Sequence, residues 1–272
     1  MIPRLRLSDG HSIPALGFGL WQVPKDATAG VVSGALDLGY RLFDGAAIYG
    51  NEVGLGAALA AADVSRDEIF VTTKVWNDRQ GHDSTLRAVE ESLGRLGLER
   101  VDLCLIHWPT PARDRYLDTW RALIRLQAEG RLRSIGVSNF NGEQITRIIG
   151  ETGVAPVLNQ VELHPSLPQT ALRAEHDALG VVTQSWTPLG RNLSFGTPAV
   201  QQIAAAKGKS PAQIVLRWHV QLGLSVIPRS TNPARMAENL ALFDFALDEA
   251  DMAAIGALEV GERLGPDPMT FA

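Results

Sequence analysis

Eight short apolar runs recur along the chain, and each is separated from the next by a longer stretch with helical spacing. The runs are Ala15 to Phe18, Arg41 to Phe43, Ile69 to Lys74, Val101 to His107, Leu132 to Val137, Val157 to Val161, Val181 to Trp186 and Ser225 to Pro228. Strands that alternate with helices in this way are joined by crossovers and run parallel. Two architectures accept the pattern, an open doubly wound sheet and a closed (β/α)8 TIM barrel. Eight units in 272 residues favour the α/β barrel, which takes roughly 250 residues. No Pro/Gly/Ser-rich linker and no block of like charge interrupts the alternation, so residues 1–272 are expected to form a single barrel domain.

The intervening segments carry helix signals. Leu86, Val89, Leu93 and Leu96 share one face of a helix for which Asp83 or Ser84 is the expected N-cap. Ser210-Pro211 and Asn232-Pro233 each place a capping residue before a proline at the first helical position, and Leu222-Gly223 stops the first of these helices. Extra helices are expected near the C-terminus. At the other end, Leu5 to Ile13 with Asp9-Gly10 at its centre reads as a β-hairpin, placed to plug the barrel floor.

Composition removes several classes of function. With 25 Lys+Arg against 30 Asp+Glu the net charge is -5, so no long-range field draws in nucleic acid. The single cysteine, Cys104, lies within an apolar run and reads as a buried small hydrophobe in a reducing compartment. The first ten residues lack a continuous apolar segment, and no stretch approaches the ~18 apolar residues of a membrane span. A cytoplasmic monomer acting on a small molecule is the resulting expectation. No metal is expected, because His11, His82, His107, His164, His176 and His219 give no H-E-x-x-H or paired-cysteine spacing.

Reactive groups of such a barrel sit where strands end and loops begin. The second run leads through Asp44 to Tyr49, the third ends at Lys74 and the fourth at His107, so an Asp, a Tyr, a Lys and a His converge on one rim. A phenol of pKa about 10 is a poor acid near neutral pH until an ammonium stabilises its phenolate, and Lys74 is expected to do so. Asp44 would hold Lys74 charged and in place. His107 would orient a carbonyl by hydrogen bonding or pass a proton to Tyr49. Singly each residue has an ordinary packing role, but four on three successive strand ends fit carbonyl reduction. Further on, Arg229, Ser230 and Arg235 surround the helix start at Asn232-Pro233, where free N–H groups and the dipole favour a phosphate.

Whole blocks of the sequence resemble the aldo-keto reductase family. They include Gly39-Tyr40-Arg41-Leu42-Phe43-Asp44, Ala46-Ala47-Ile48-Tyr49-Gly50-Asn51-Glu52, Val71-Thr72-Thr73-Lys74 and Asp102-Leu103-Cys104-Leu105-Ile106-His107-Trp108-Pro109. Ile135-Gly136-Val137-Ser138-Asn139-Phe140, Leu158-Asn159-Gln160-Val161-Glu162-Leu163-His164-Pro165, Trp186-Thr187-Pro188-Leu189-Gly190 and Ile227-Pro228-Arg229-Ser230 follow in the family's order. The chain is most similar to the bacterial branch that includes diketogluconate reductases. The resemblance implies an NADPH-dependent reductase with Asp44, Tyr49, Lys74 and His107 as catalytic tetrad and Tyr49 as general acid. It implies that Ser138, Asn139 and Gln160 hold the nicotinamide carboxamide and that Trp186 stacks on the ring. Leu189, Arg229, Ser230, Arg235, Glu238 and Asn239 complete the implied NADP-binding set, while Trp21, Ile48, Trp76 and Trp108 match an apolar substrate pocket for aldehydes, ketones, dicarbonyls or keto-sugars. The tail after Pro266 looks short, so an open pocket is expected. Gly45 stands where the family commonly has Thr, and is expected to loosen the turn.

Other chemistries find less support. Gly17-Phe18-Gly19 and Gly54-Leu55-Gly56 place Gln22 and Leu59 where a dinucleotide fingerprint needs its last glycine. Tyr40, Tyr49 and Tyr116 have no lysine four residues on, as a short-chain reductase would need. Two rivals stay open: a hydrolase pairing Asp44 with Glu162, and a regulatory barrel that senses the cofactor.

Overall fold

The computed structural model describes residues 2–271. Strands β1 (Arg4–Arg6) and β2 (Ser12–Pro14) form the expected antiparallel hairpin, with Leu5 opposite Ile13. Eight strands then run parallel in chain order: β3 (Phe18–Gly19), β4 (Leu42–Asp44), β5 (Phe70–Val75), β6 (Val101–Ile106), β7 (Leu132–Ser138), β8 (Leu158–Glu162), β9 (Val182–Trp186) and β10 (Ser225–Val226). The ladder closes on itself. Leu16 bridges Val226 in parallel, and the Gly17 N–H donates to the Val226 carbonyl at 2.8 Å. The first strand is therefore split relative to the sequence expectation: Ala15 to Gly17 stitch to β10, while regular pairing with β4 involves Phe18 and Gly19. Gly17 permits this seam, since a Cβ there would lie 2.4 Å from Leu42 Cγ.

Helices α1 (Thr28–Leu38), α2 (Glu52–Ala60), α3 (His82–Leu96), α4 (Tyr116–Ala128), α5 (Gly142–Thr152) and α6 (Thr170–Leu179) follow β3 to β8 in turn. Two helices, α7 (Pro198–Lys207) and α8 (Pro211–Gln221), follow β9, and two more, α9 (Pro233–Leu240) and α10 (Glu249–Gly256), follow β10. These supply the extra helices expected near the C-terminus. Ser210 caps α8 in a capping box with Gln213, and Asn232 caps α9 by accepting the Arg235 N–H. The expected cap of α3 is corrected. Gly81, not Asp83 or Ser84, is its N-cap, with a φ of 108° that suits glycine. Ser84 instead donates back to the Gln80 carbonyl, and the Asp83 carboxylate meets the His82 ring.

The hairpin plugs the N-terminal end of the barrel. Leu7 and Ile13 are buried among Leu42, Phe70, Leu103, Leu105 and Leu158, and Ser134 at the start of β7 donates to the Asp9 carboxylate at 2.7 Å. Outside the barrel wall, Val71, Val75, Cys104 and Ile106 pack under Val89, Leu93 and Trp120 of the helices. Burial pushes the Cys104 thiol up to about 12, which makes it an inert core residue.

Two buried imidazoles set an acid limit on this fold. His176 bridges Asn159 and Thr183, and His219 bridges Ser185 and the Pro188 carbonyl. Burial lowers their pKa values from 6.5 to about 4 and about 3. The folded state keeps both rings neutral, while the unfolded chain takes up protons as pH falls through the ordinary imidazole range. Their contribution to stability is full above that range and is lost as pH falls below it. The urea midpoint is therefore expected to drop between neutral pH and about pH 5, before most carboxylates titrate. An unchanged midpoint over that interval would show that burial does not hold these rings neutral.

Candidate active site

Above the plug, the barrel interior turns polar. Ser225 donates to the Pro14 carbonyl, Gln184 donates to Ser225, and Gln160 uses its amide nitrogen to reach both Gln184 Oε1 (2.6 Å) and Asp44 Oδ1 (2.7 Å). Asp44 is the last residue of β4 and its Oδ2 accepts from Lys74 Nζ at 2.6 Å. This chain of hydrogen bonds crosses the barrel and ends on the ammonium. Lys74 Nζ also donates to the Gly45 carbonyl at 2.9 Å and lies 3.3 Å from Tyr49 Oη. An ammonium has three donors, and all three are used.

Lys74 and Asp44 are almost fully shielded from solvent. Burial works against the Lys74 charge, but Asp44 and the Tyr49 phenol outweigh it and hold the ammonium above its ordinary pKa. For Tyr49, burial pushes the phenol above its ordinary value, Lys74 pulls it back, and Asp44 adds to the rise. Lys74 thus favours the phenolate as the sequence reading expects, although the phenol's pKa as a whole stays above its ordinary value, because desolvation exceeds that one interaction. The phenol is consequently protonated throughout the neutral range.

His107, just beyond β6, stands edge-on to Tyr49 with ring centroids 5.7 Å apart, and edge-on to Trp76 at 5.0 Å. Burial, reinforced by Lys74, holds its pKa well below the ordinary imidazole value. The ring is neutral at physiological pH, which suits donation of a hydrogen bond better than passage of a proton as imidazolium. Its Nδ1 is buried without a partner.

Local structure keeps Tyr49 in place. The residue ends a 3-10 turn, Ala47–Tyr49, closed by Gly50 in a left-handed conformation. Asn51 then anchors the chain to the Leu20 and Val23 carbonyls, and buried Glu52 accepts from Thr73 Oγ1 at 2.6 Å and Arg95 Nε at 2.7 Å. Thr73 directly precedes Lys74, so the Tyr49 turn is strapped to the strand that carries the lysine. Gly45 does not loosen this region, contrary to expectation. Its N–H donates to the Thr72 carbonyl at 2.9 Å and its own carbonyl holds Lys74, so both sides of the residue are fixed. A Cβ at Gly45 would stand 3.3 Å from the Thr72 oxygen, a tight fit.

The residues assigned to a nicotinamide gather at the ends of β7, β8 and β9. Ser138 Oγ donates to the Gln160 carbonyl. Asn139, at a φ of 66°, gives its amide hydrogens to the His107 carbonyl and Ser138 Oγ, and its Oδ1 accepts from Trp186 Nε1 at 2.8 Å. Its remaining capacity towards a ligand is the second lone pair of Oδ1. Trp186 is half-buried, and Leu189 packs half-buried against the core from the loop after β9. At the mouth, Trp108 is buried and Trp76 half-buried, whereas Trp21 and Ile48 are exposed.

The open pocket expected from the short tail needs correction on one side. Phe271 returns to pack on Trp108 with ring centroids 4.6 Å apart and reaches Trp76 at 6.2 Å. The mouth is open towards Trp21 and Ile48 and covered at Trp108. An aromatic residue in an otherwise polar and proline-rich tail is the sequence signal that points to this contact.

Farther out, Ser230 Oγ accepts the Asn232 N–H beside the start of α9. Arg229 and Arg235 are exposed. Among the described residues neither has an acidic partner, and the Arg229 guanidinium reaches only Gln22 Oε1. Two uncompensated guanidinium groups, a hydroxyl and a helix start form a donor set that fits a phosphate. Buried Asn239 and half-buried Glu238 follow one to two turns along the same helix. Glu162 does not join Asp44 as a second catalytic carboxylate, because four donors already engage it: His164, Arg263 and the N–H groups of Leu264 and Gly265. Among the described residues no cluster of metal-ligating side chains occurs, and no helix is long and apolar enough to cross a membrane.

A closed parallel barrel with an Asp-Lys-Tyr-His group at its C-terminal rim is the setting of a carbonyl-reducing oxidoreductase. A model of the aldo/keto reductase family matches residues 15–260, and the chain belongs to that family. It is 50% identical over 271 residues to an aldo-keto reductase of Mycolicibacterium smegmatis, covering 100% of this chain and 98% of the relative. To the methylglyoxal reductase DkgA of Yersinia pestis it is 49% identical over 273 residues, covering 100% of this chain and 98% of the relative. Among solved structures, a Gox0644 mutant in complex with NADPH superposes with a TM-score of 0.96 at 48% identity, covering 100% of this chain and 99% of that one.

Proposed function

We propose that this barrel reduces small aldehydes, ketones and dicarbonyls, with keto-sugars as a further class, to alcohols with NADPH, and that Tyr49 is the general acid. The observation that carries the proposal is Lys74 Nζ, held by Asp44 and the Gly45 carbonyl while touching Tyr49 Oη beside a neutral His107. When bound, NADPH would be the source of the hydride that the carbonyl carbon takes up. The chain supplies the rest: Tyr49 gives its proton to the carbonyl oxygen, and the ammonium of Lys74 stabilises the phenolate left behind. Asp44 fixes that ammonium, and the His107 ring donates a hydrogen bond that orients the carbonyl.

For the cofactor, Trp186 would offer its indole to the nicotinamide ring, and Ser138, Asn139 and Gln160 would hold its carboxamide. Gln160 Oε1 accepts no hydrogen bond from the described residues, while its nitrogen is committed to Asp44 and Gln184. Arg229, Ser230 and Arg235 would hold the 2′-phosphate, with Leu189, Glu238 and Asn239 along the nucleotide. Trp21, Ile48, Trp76 and Trp108 line the substrate site, which suits apolar and small carbonyl compounds. Two of the relatives' names support this reading, a methylglyoxal reductase and a complex with NADPH.

Consumption of NADPH in the presence of a small dicarbonyl tests the whole reading, and arginine variants test its cofactor half. Replacing Arg229 and Arg235 together by Ala is expected to weaken NADPH binding about 10²- to 10⁴-fold, each of the two charge-assisted contacts being worth roughly 1.5–3 kcal/mol. NADH, which lacks the phosphate, is expected to bind the variant as it binds the wild type. Fluorescence titration with both cofactors measures the ratio, and equal losses for the two would remove the phosphate assignment.

A further inference from the structure

The cofactor and substrate sites share a support that neither uses directly. Glu162 ends β8, is completely buried, and is not part of the proposed proton path. Its Oε1 accepts from the Leu264 N–H at 2.6 Å and meets His164 Nε2 at 3.1 Å. Oε2 accepts from the Gly265 N–H at 3.1 Å and the Arg263 guanidinium at 3.4 Å. A side chain thus takes the place of a backbone partner for two consecutive main-chain N–H groups of the tail, and the Arg263 side chain joins them. From the other side, Arg191 in the loop after β9 donates to the Leu264 carbonyl at 3.3 Å.

What this seat presents to the site is Gly265. A Cβ on that residue would lie 2.4 Å from Trp186 Cη2 and 3.2 Å from Cζ3. The glycine backbone therefore backs the outer edge of the indole, while Asn139 holds the opposite edge through Nε1. Past Gly265 the tail continues to Met269, which receives the Asn141 amide through its sulfur, and to Phe271 on Trp108 and Trp76.

We infer that Glu162 is a positioning residue: its carboxylate seats Arg263 to Gly265, so that Gly265 fixes the Trp186 indole and the tail brings Phe271 over the substrate mouth. The inference rests on the reading of Trp186 as the nicotinamide's stacking partner and of Trp76 and Trp108 as substrate-lining. One carboxylate then sets two subsites together, because the same tail segment touches both. Gln at position 162 keeps the size but turns one of the two acceptor atoms into a donor facing main-chain N–H groups. Gly265→Ala keeps both carboxylate oxygens as acceptors and displaces chiefly the indole, since its Cβ would fall 2.4 Å from Trp186 Cη2 and 3.2 Å from Glu162 Oε2.

The test compares wild type, Glu162→Gln and Gly265→Ala by amide hydrogen exchange of the 260–271 segment, NADPH titration and steady-state kinetics. Glu162→Gln is expected to lose protection at Leu264 and Gly265, to weaken NADPH about tenfold, and to raise KM for the carbonyl more than it lowers kcat. Gly265→Ala is expected to weaken NADPH to a similar degree while Leu264 stays protected. Unchanged exchange and unchanged NADPH affinity in Glu162→Gln would overturn the inference while leaving the proposed activity standing. Lost protection with unchanged NADPH affinity and KM would also overturn it, by reducing the seat to a merely structural contact. If wild type itself bound no NADPH, the reading of the site would fail, whatever the exchange data showed of the tail.

Discussion

Tyr49→Phe is expected to lower kcat by about 10²–10⁴-fold, the usual contribution of a positioned general acid, while NADPH affinity stays within about twofold of wild type. The physical basis is narrow. The hydroxyl is the only atom removed, the ring keeps its edge contact with His107 and its place beside Trp21, and Lys74 retains Asp44 and the Gly45 carbonyl. Because burial keeps the phenol protonated in the neutral range, wild-type turnover should show no loss of the acid form there, and the neutral His107 should add no inflection near the ordinary imidazole pKa. Single-turnover rates with bound NADPH separate chemistry from binding. A Phe variant that reduces carbonyls at the wild-type rate would remove Tyr49 from the mechanism.

Lys74→Met is expected to be the most damaging single change to the fold itself. Lys74 and Asp44 form an ion pair that solvent scarcely reaches, 2.6 Å apart. Removing the ammonium leaves the Asp44 carboxylate buried with only Gln160 as a donor among the described side chains. Breaking such a pair costs about 3–5 kcal/mol, a large fraction of the roughly 5–15 kcal/mol by which a domain is stable. Urea denaturation measures the loss. Adding Asp44→Asn removes the stranded charge and should recover a part of it, although neither protein is expected to turn over. If the double variant were no more stable than Lys74→Met alone, the cost would lie in packing rather than in the unpaired charge.

Most of what the sequence made legible depends on periodicity and on position along a strand. Eight alternating units specify the barrel, and a barrel specifies which strand ends meet, so Asp44, Tyr49, Lys74 and His107 are brought together as expected. The two proline-led helix starts were legible because cap and proline are adjacent in sequence. What sequence could not convey depends on non-local competition. The α3 cap moved to Gly81 because Ser84 and Asp83 found other partners. The Tyr49 pKa turned on burial, a quantity that no spacing reports. Phe271 and the Glu162 seat join residues about 100 or more positions apart, and the chain offers only an isolated aromatic and a carboxylate as hints.

The measurement that bears most directly on the function is the initial rate of NADPH oxidation, followed by absorbance, with methylglyoxal, other small aldehydes and keto-sugars, and with NADH in parallel. The Asp-Lys-Tyr-His geometry and the two guanidinium groups without an acidic partner among the described residues predict turnover with NADPH and slower turnover with NADH at equal concentration. Tight binding of NADPH with no oxidation by any carbonyl would contradict the reductase reading and favour a cofactor-sensing barrel, and equal rates with NADH would contradict the phosphate site.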